Sequence, residues 1–144
     1  NFDPANAMVI PSLINRVTSG ESPLTVWGDG TPIRDFIHAG DCARGMIHVV
    51  ENGITVPVNL GSGTGITIKE VAETIRDEFN PKVDIVWDTT KPKGDAKRIM
   101  DTTRAASLGF TCETSLSEGI RETIQWFVEN KEKYKKRNNY FEEK

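Results

Sequence analysis

A strand, a glycine-rich turn and a helix follow one another in VPVNLGSGTGITIKEVAETIRDEF, residues 56–79. VPVNLG is a nearly continuous apolar run, the pattern of a strand covered on both faces in a parallel sheet. Thr67 and Glu70 have the spacing of a capping box, and Ile68, Val71, Ala72, Ile75 and Phe79 share one face of the helix it starts. A second strand, VDIVWD, follows and ends on Asp88. Such alternation argues for an α/β fold. It is also where dinucleotide-binding proteins keep a phosphate loop, so the glycines must be tested for that role.

The dinucleotide fingerprint is G-x-G-x-x-G, with the third glycine needed for close packing of helix on strand. Gly61 and Gly63 fill the first two places, but Ile66 stands at the third and Gly65 falls one residue early. The capping box also starts the helix late, at Thr67. Asp88 lies 27 positions after Gly61, where the ribose-binding acid usually follows at about 20. These departures favour a structural turn whose glycines permit tight backbone geometry. A second superficial match is Tyr140 and Lys144, which have the Tyr-x-x-x-Lys spacing of a dehydrogenase acid–base pair. They stand on the last residues of a charged tail, so chance explains them better.

Elsewhere the pattern is mainly helix and strand in turn. A helix is expected near Pro11, with Ile10, Leu13, Ile14 and Val17 on one face and Gly20 as its stop. PLTVWGDG reads as a short strand and turn, and TPIRDFIH as an extended segment. Asp41 can cap a helix with an apolar stripe of Ala43, Met46, Ile47 and Val50. TTKPKGDAKR is a polar, basic loop in which Lys91, Lys93 and Lys97 read as solvated charges. A short helix ends at Gly109. A second capping box, Ser115 and Glu118, opens a helix buried through Leu116, Ile120, Ile124 and Phe127. The charged tail, residues 131–144, is expected to fray.

Three convincing strands are few for a sheet that usually has about five or six. The sheet is therefore expected to be incomplete, with apolar strand and helix faces that need a partner. An upstream half of the same polypeptide is the simplest one. The opening at Asn1, without an initiator Met, gives the same expectation of a piece of a longer chain.

Composition excludes several classes. A net charge of -3 gives no support for broad binding to nucleic acid or anionic membrane. No apolar run reaches the length of a membrane span and no signal peptide is visible, so a cytoplasmic protein is expected. Cys42 and Cys112 share no metal or redox spacing, and His38 and His48 lack companion ligands, so no metal is expected.

Five segments together carry a family resemblance: NFDPANAMVIPSLI, VWGDGTPIRDFIH, VPVNLGSGTGITIKEVA, VWDTTKPKGDAKRIMDTTRAASLGF and SLSEGIRETIQWF. In this order and near this spacing they resemble the C-terminal half of the NAD-dependent epimerase/dehydratase family of extended short-chain dehydrogenases/reductases, and within it the GDP-L-fucose synthases. The resemblance covers the chain to about Asn130. It implies an incomplete Rossmann-type sheet plus a small substrate-binding lobe. The cofactor, NADP or NAD, and the Ser/Tyr/Lys catalytic set would belong to an N-terminal Rossmann half absent from this sequence. The implied partners are a nucleotide-diphosphate sugar, that missing half and, as is common in the family, a second copy in a homodimer.

The resemblance also assigns roles. Val9 and Leu13 would line the nucleotide pocket, Arg16 would reach the phosphate region, and Trp27, Arg34 and Arg98 would contact substrate. Arginine forks suit a diphosphate, and an aromatic or apolar surface suits a base. Taken singly, Arg16 reads as a solvated charge and Trp27 as a core or rim aromatic. Met8 stands beside the nicotinamide, where the GDP-L-fucose synthases have an acidic histidine for epimerisation. A thioether cannot donate that proton. Ketone reduction, or a related change on another nucleotide sugar, therefore fits better than 3,5-epimerisation. Two other readings stay open: a freestanding nucleotide-binding module using GSGTG, and a non-catalytic subunit of a split enzyme.

Overall fold

A computed structural model describes Phe2 and residues 7–135. The Tyr140–Lys144 pair and the end of the charged tail lie outside the described residues. The elements run α1 (Val9–Thr18), β1 (Leu24–Trp27), β2 (Ile33–Arg34), α2 (Ala39–Glu51), β3 (Ile66–Thr67), α3 (Ile68–Phe79), β4 (Ile85–Asp88), β5 (Lys97–Arg98), α4 (Thr103–Ser107) and α5 (Leu116–Lys135). β1 and β4 pair in parallel, from Leu24 opposite Ile85 to Trp27 opposite Asp88. A second sheet has the order β3-β2-β5, with β2 antiparallel to β3 and parallel to β5.

The core lies where α1, α3 and α5 meet. Leu13, Ile14 and Val17 of α1 pack with Val71, Ala72 and Ile75 of α3 and with Ile120, Ile124 and Phe127 of α5. Leu24 and Val26 of β1 close the same cluster, and Phe2 stacks on Phe127 with ring centres 4.2 Å apart. Helix periodicity explains these faces, because residues three and four apart stack on one side.

Local signals govern the helix ends. The Thr67 hydroxyl accepts from the Glu70 amide at 3.1 Å, and the Glu70 carboxylate accepts from the Thr67 amide at 2.8 Å. Ser115 and Glu118 repeat the arrangement, at 3.3 and 3.0 Å. α1 begins at Val9, two residues before Pro11. Its first helical bond runs from the Ser12 amide to the Met8 carbonyl, so the missing proline N–H falls in the first turn, where none is needed.

Several expectations are corrected. VPVNLG forms no ladder among the described residues: its backbone has no neighbouring strand to bond, and Val56 is half exposed. His38, not Asp41, occupies the N-cap of α2. The Asp41 carboxylate instead crosses to the amides of Glu113 and Thr114 and to Arg44. The stripe on α2 faces outward, with Met46 55%, Ile47 56% and Val50 79% exposed. No described element covers it. The basic loop also contributes a strand, β5, held by Ile33 N–H donating to the Ala96 carbonyl at 2.9 Å.

No helix among the described residues is long and apolar enough to cross a membrane. Among them, no three His, Cys, Asp or Glu gather as metal ligands, and both cysteines are free thiols.

Candidate functional site

The glycine loop does bind an anion, but the anion is a side chain of the protein. Asp35 lies one residue beyond β2. Its Oδ1 accepts from the Ser62 amide at 2.9 Å and the Ser62 hydroxyl at 2.6 Å. Its Oδ2 accepts from the Gly63 amide at 3.0 Å and the Met100 amide at 3.2 Å. Consecutive backbone amides of this kind form a concavity suited to negative charge. Here a carboxylate fills it.

The glycines make that approach feasible. A Cβ on Gly61 would stand 2.7 Å from Met100 Cβ and 2.9 Å from Asp35 Oδ2. Gly63 has φ +69°, and a Cβ there would stand 2.5 Å from Thr102 Oγ1. Asp88 is engaged too: its Oδ1 accepts from the Thr90 hydroxyl at 2.6 Å and the Thr90 amide at 3.1 Å, and that hydroxyl bond lowers its pKa. The residues present therefore do not fit a dinucleotide at GSGTG. Its pyrophosphate would need amides that Asp35 already holds, and the loop behaves as the structural turn the sequence favours.

The cationic residues gather on the other sheet. Arg34 of β2 is the register partner of Arg98 of β5. Partnered residues on adjacent strands stand roughly 4.8 Å apart and project to the same face. Arg34 Nη1 donates to the carbonyls of Ile33 at 2.8 Å and Asp95 at 2.7 Å, which fixes its fork. Arg98 is exposed, and its side chain has no hydrogen bond or ion pair among the described residues. Two like charges opposite each other on a sheet destabilise it unless an anion joins them. A diphosphate has the negative charge to do so.

An exposed aromatic residue stands at the end of the β1–β4 sheet. Trp27 ends β1 with 61% of its surface exposed, and Lys91 Nζ lies 5.7 Å from its ring centre. Such an open ring can stack on a base or a sugar face. Lys93 Nζ meets Asp29 at 2.7 Å, which ties the loop before β5 to the turn after β1. With Thr31, that lysine holds the Asp29 carboxyl well below the usual range.

The other anticipated residues sit on or beside α1. Met8 is exposed at its N-cap, Val9 packs half-buried against the core, and Leu13 is buried within it. Arg16 is bound to Glu21 and to the Thr25 carbonyl, so it clamps the end of α1 to β1. Its hydrogen bond also lowers the pKa of Glu21. No hydrogen bond or ion pair links these four residues to Arg34 or Arg98 among the described residues. The group that sequence reasoning missed is Asp35. Its one signal is an acid set between Arg34 and Phe36 in an extended segment.

Comparison with known proteins bears on this geometry. Residues 1–61 match the NAD dependent epimerase/dehydratase family. GDP-L-fucose synthase from Escherichia coli is 38% identical over 149 aligned positions, covering 94% of this chain and 46% of that protein. Over these residues the chain is similar to the NAD-dependent epimerases/dehydratases. A GDP-L-fucose synthetase from Naegleria fowleri bound to NADP superposes with a TM-score of 0.80 at 29% identity, over 92% of this chain and 43% of that one. A UDP-N-acetylglucosamine 4-epimerase from Methanobrevibacter ruminantium, in complex with UDP-N-acetylmuramic acid, gives 0.80 at 28% identity, over 90% and 42%. The chain thus spans less than half the length of these relatives. Its α/β architecture is that of the corresponding part of these extended epimerases and reductases.

Proposed function

We propose that these 144 residues are the substrate-binding portion of an NAD(P)-dependent nucleotide-sugar epimerase or reductase. The substrate is a GDP- or related nucleotide-diphosphate 4-keto-6-deoxy sugar, as in a GDP-L-fucose synthase-like enzyme. The observation that carries this reading is the Arg34–Arg98 pair, two adjacent arginines with no carboxylate bound between them among the described residues. Trp27 supplies the flat apolar surface that a base or sugar needs beside the phosphates. The likeness to an E. coli GDP-L-fucose synthase supports the guanine nucleotide.

The dinucleotide belongs elsewhere in the parent enzyme. A neighbour bound to NADP supports its use, while the engaged amides of GSGTG argue against holding it here. When bound, it would supply the hydride. This chain's residues would hold the sugar nucleotide still against it. Met8 brings no proton donor to the step, so reduction of the ketone is favoured over epimerisation through that position.

Calorimetric titration of the 144-residue chain tests the reading. GDP is expected to bind weakly and NADPH not at all. Arg98→Ala is expected to weaken GDP binding by about tenfold, the scale of one charge-assisted hydrogen bond. Tight NADPH binding, or an Arg98→Ala chain that binds GDP as the parent does, would overturn it.

A further inference from the structure

We propose that Asp35 is a positioning residue, holding Arg34 and Arg98 at the separation a diphosphate bridges; this rests on the substrate-site reading above. β2 and β5 are only two residues long, so their ladder is too short to resist charge repulsion unaided. Asp35 follows Arg34 directly, and Met100 lies two residues beyond Arg98. The carboxylate takes the Met100 amide at 3.2 Å and so joins the two strands just past the arginines. Its remaining acceptors hold the Ser62–Gly63 loop at 2.6 to 3.0 Å. The clamp is therefore anchored in a third segment.

The chemistry requires a carboxylate. Four donors converge on its two oxygens, and an ionised carboxylate offers only acceptors. An amide of the same size would turn an NH2 group toward two of those donors. The negative charge also offsets part of the repulsion between the two guanidinium groups. The loop that looks like a phosphate cradle thus serves the substrate indirectly, by binding the acid that sets the arginines.

The test compares GDP with GMP, because only the diphosphate can span both arginines. The parent chain is expected to prefer GDP by about tenfold. In Asp35→Asn that preference falls to about twofold or less, and the Nε–Hε resonances of Arg34 and Arg98 shift. An acid that merely supports folding would weaken both nucleotides alike and leave their ratio unchanged. In Asp35→Asn/Arg98→Ala the two losses are less than additive. Should Asp35→Asn not fold, Ser62→Ala removes a single donor to the carboxylate and is expected to lower the ratio by about threefold. An unchanged GDP:GMP ratio in whichever variant folds overturns the positioning role alone. Unchanged GDP binding in Arg98→Ala, or none by the parent, overturns the substrate-site reading beneath it.

Discussion

Replacing Gly63 by alanine separates a structural loop from a ligand loop, and the structure gives the size of the effect. Gly63 has φ +69°, where an L-residue with a Cβ is less stable by about 1–2 kcal/mol. The new Cβ would also stand 2.5 Å from Thr102 Oγ1, while Thr102 Cβ and Cγ2 are each 3.6 Å away. Relieving such an overlap costs about 1–3 kcal/mol in packed surroundings. Gly63→Ala should therefore destabilise the parent by about 3 kcal/mol. Thr102→Ala removes the offending oxygen and leaves only the ordinary contact at 3.6 Å. In that background the same substitution should cost about 1.5 kcal/mol, the backbone term alone. Urea unfolding followed by circular dichroism, with linear extrapolation for all four proteins, measures the difference. Equal costs in the two backgrounds would refute the packing argument. A stable Gly63→Ala chain that had lost a bound dinucleotide would refute the structural reading of the loop altogether.

Asp41 predicts a pH dependence. Burial raises its carboxyl pKa, but bonds from Arg44 and from the Thr114 and Glu113 amides outweigh burial and bring it from 3.8 to about 2. Its folded value is below the unfolded one, so its stabilisation is complete above about pH 5 and fades as the pH falls through about 2. That gap corresponds to about 2 kcal/mol. Asp41→Asn should lack this portion of the acid sensitivity, and parallel unfolding curves for parent and variant from pH 5 to pH 2 would contradict the account. Thr67→Ala removes the hydroxyl that accepts from Glu70 and should cost about 1 kcal/mol, read as a lower Tm. A Tm equal to the parent's would mean the capping box adds nothing to the folded state.

The features legible in the sequence are the local ones. Thr67 with Glu70, and Ser115 with Glu118, reach each other across three residues, so spacing alone reveals them. The core faces of α1, α3 and α5 follow from helical period, except that Phe79, expected on the buried face of α3, is 40% exposed at its end. VPVNLG fails as a strand because a strand needs a neighbour, and an apolar run carries no information about one. The stripe on α2 is periodic as read, yet period identifies a face without saying what covers it. β5 offered no alternation, only Lys97 and Arg98. Asp35 was missed because its donors lie 27, 28 and 65 residues away. Arg34 and Arg98 were singled out by resemblance, whereas their opposition across β2 and β5 follows only from the fold.

The same structure separates what is self-supporting from what is not. The arginine pair rests on contacts made within the chain: the Asp35 carboxylate, the Asp95 carbonyl on Arg34, and the Lys93–Asp29 ion pair on the adjoining loop. None of these requires another polypeptide. The unsatisfied features are of a different kind. They are the outward apolar stripe of α2 and the extended Val56–Leu60 segment, whose sequence suits a strand but which forms no ladder among the described residues. A covering layer would bury the first, and a neighbouring strand would pair the second. On the function proposed above, grip on a nucleotide diphosphate and cover for these two features are physically separable demands. On that function, a chain that meets the first and leaves the second open would bind its nucleotide weakly, and hydride transfer would wait on residues that hold the dinucleotide.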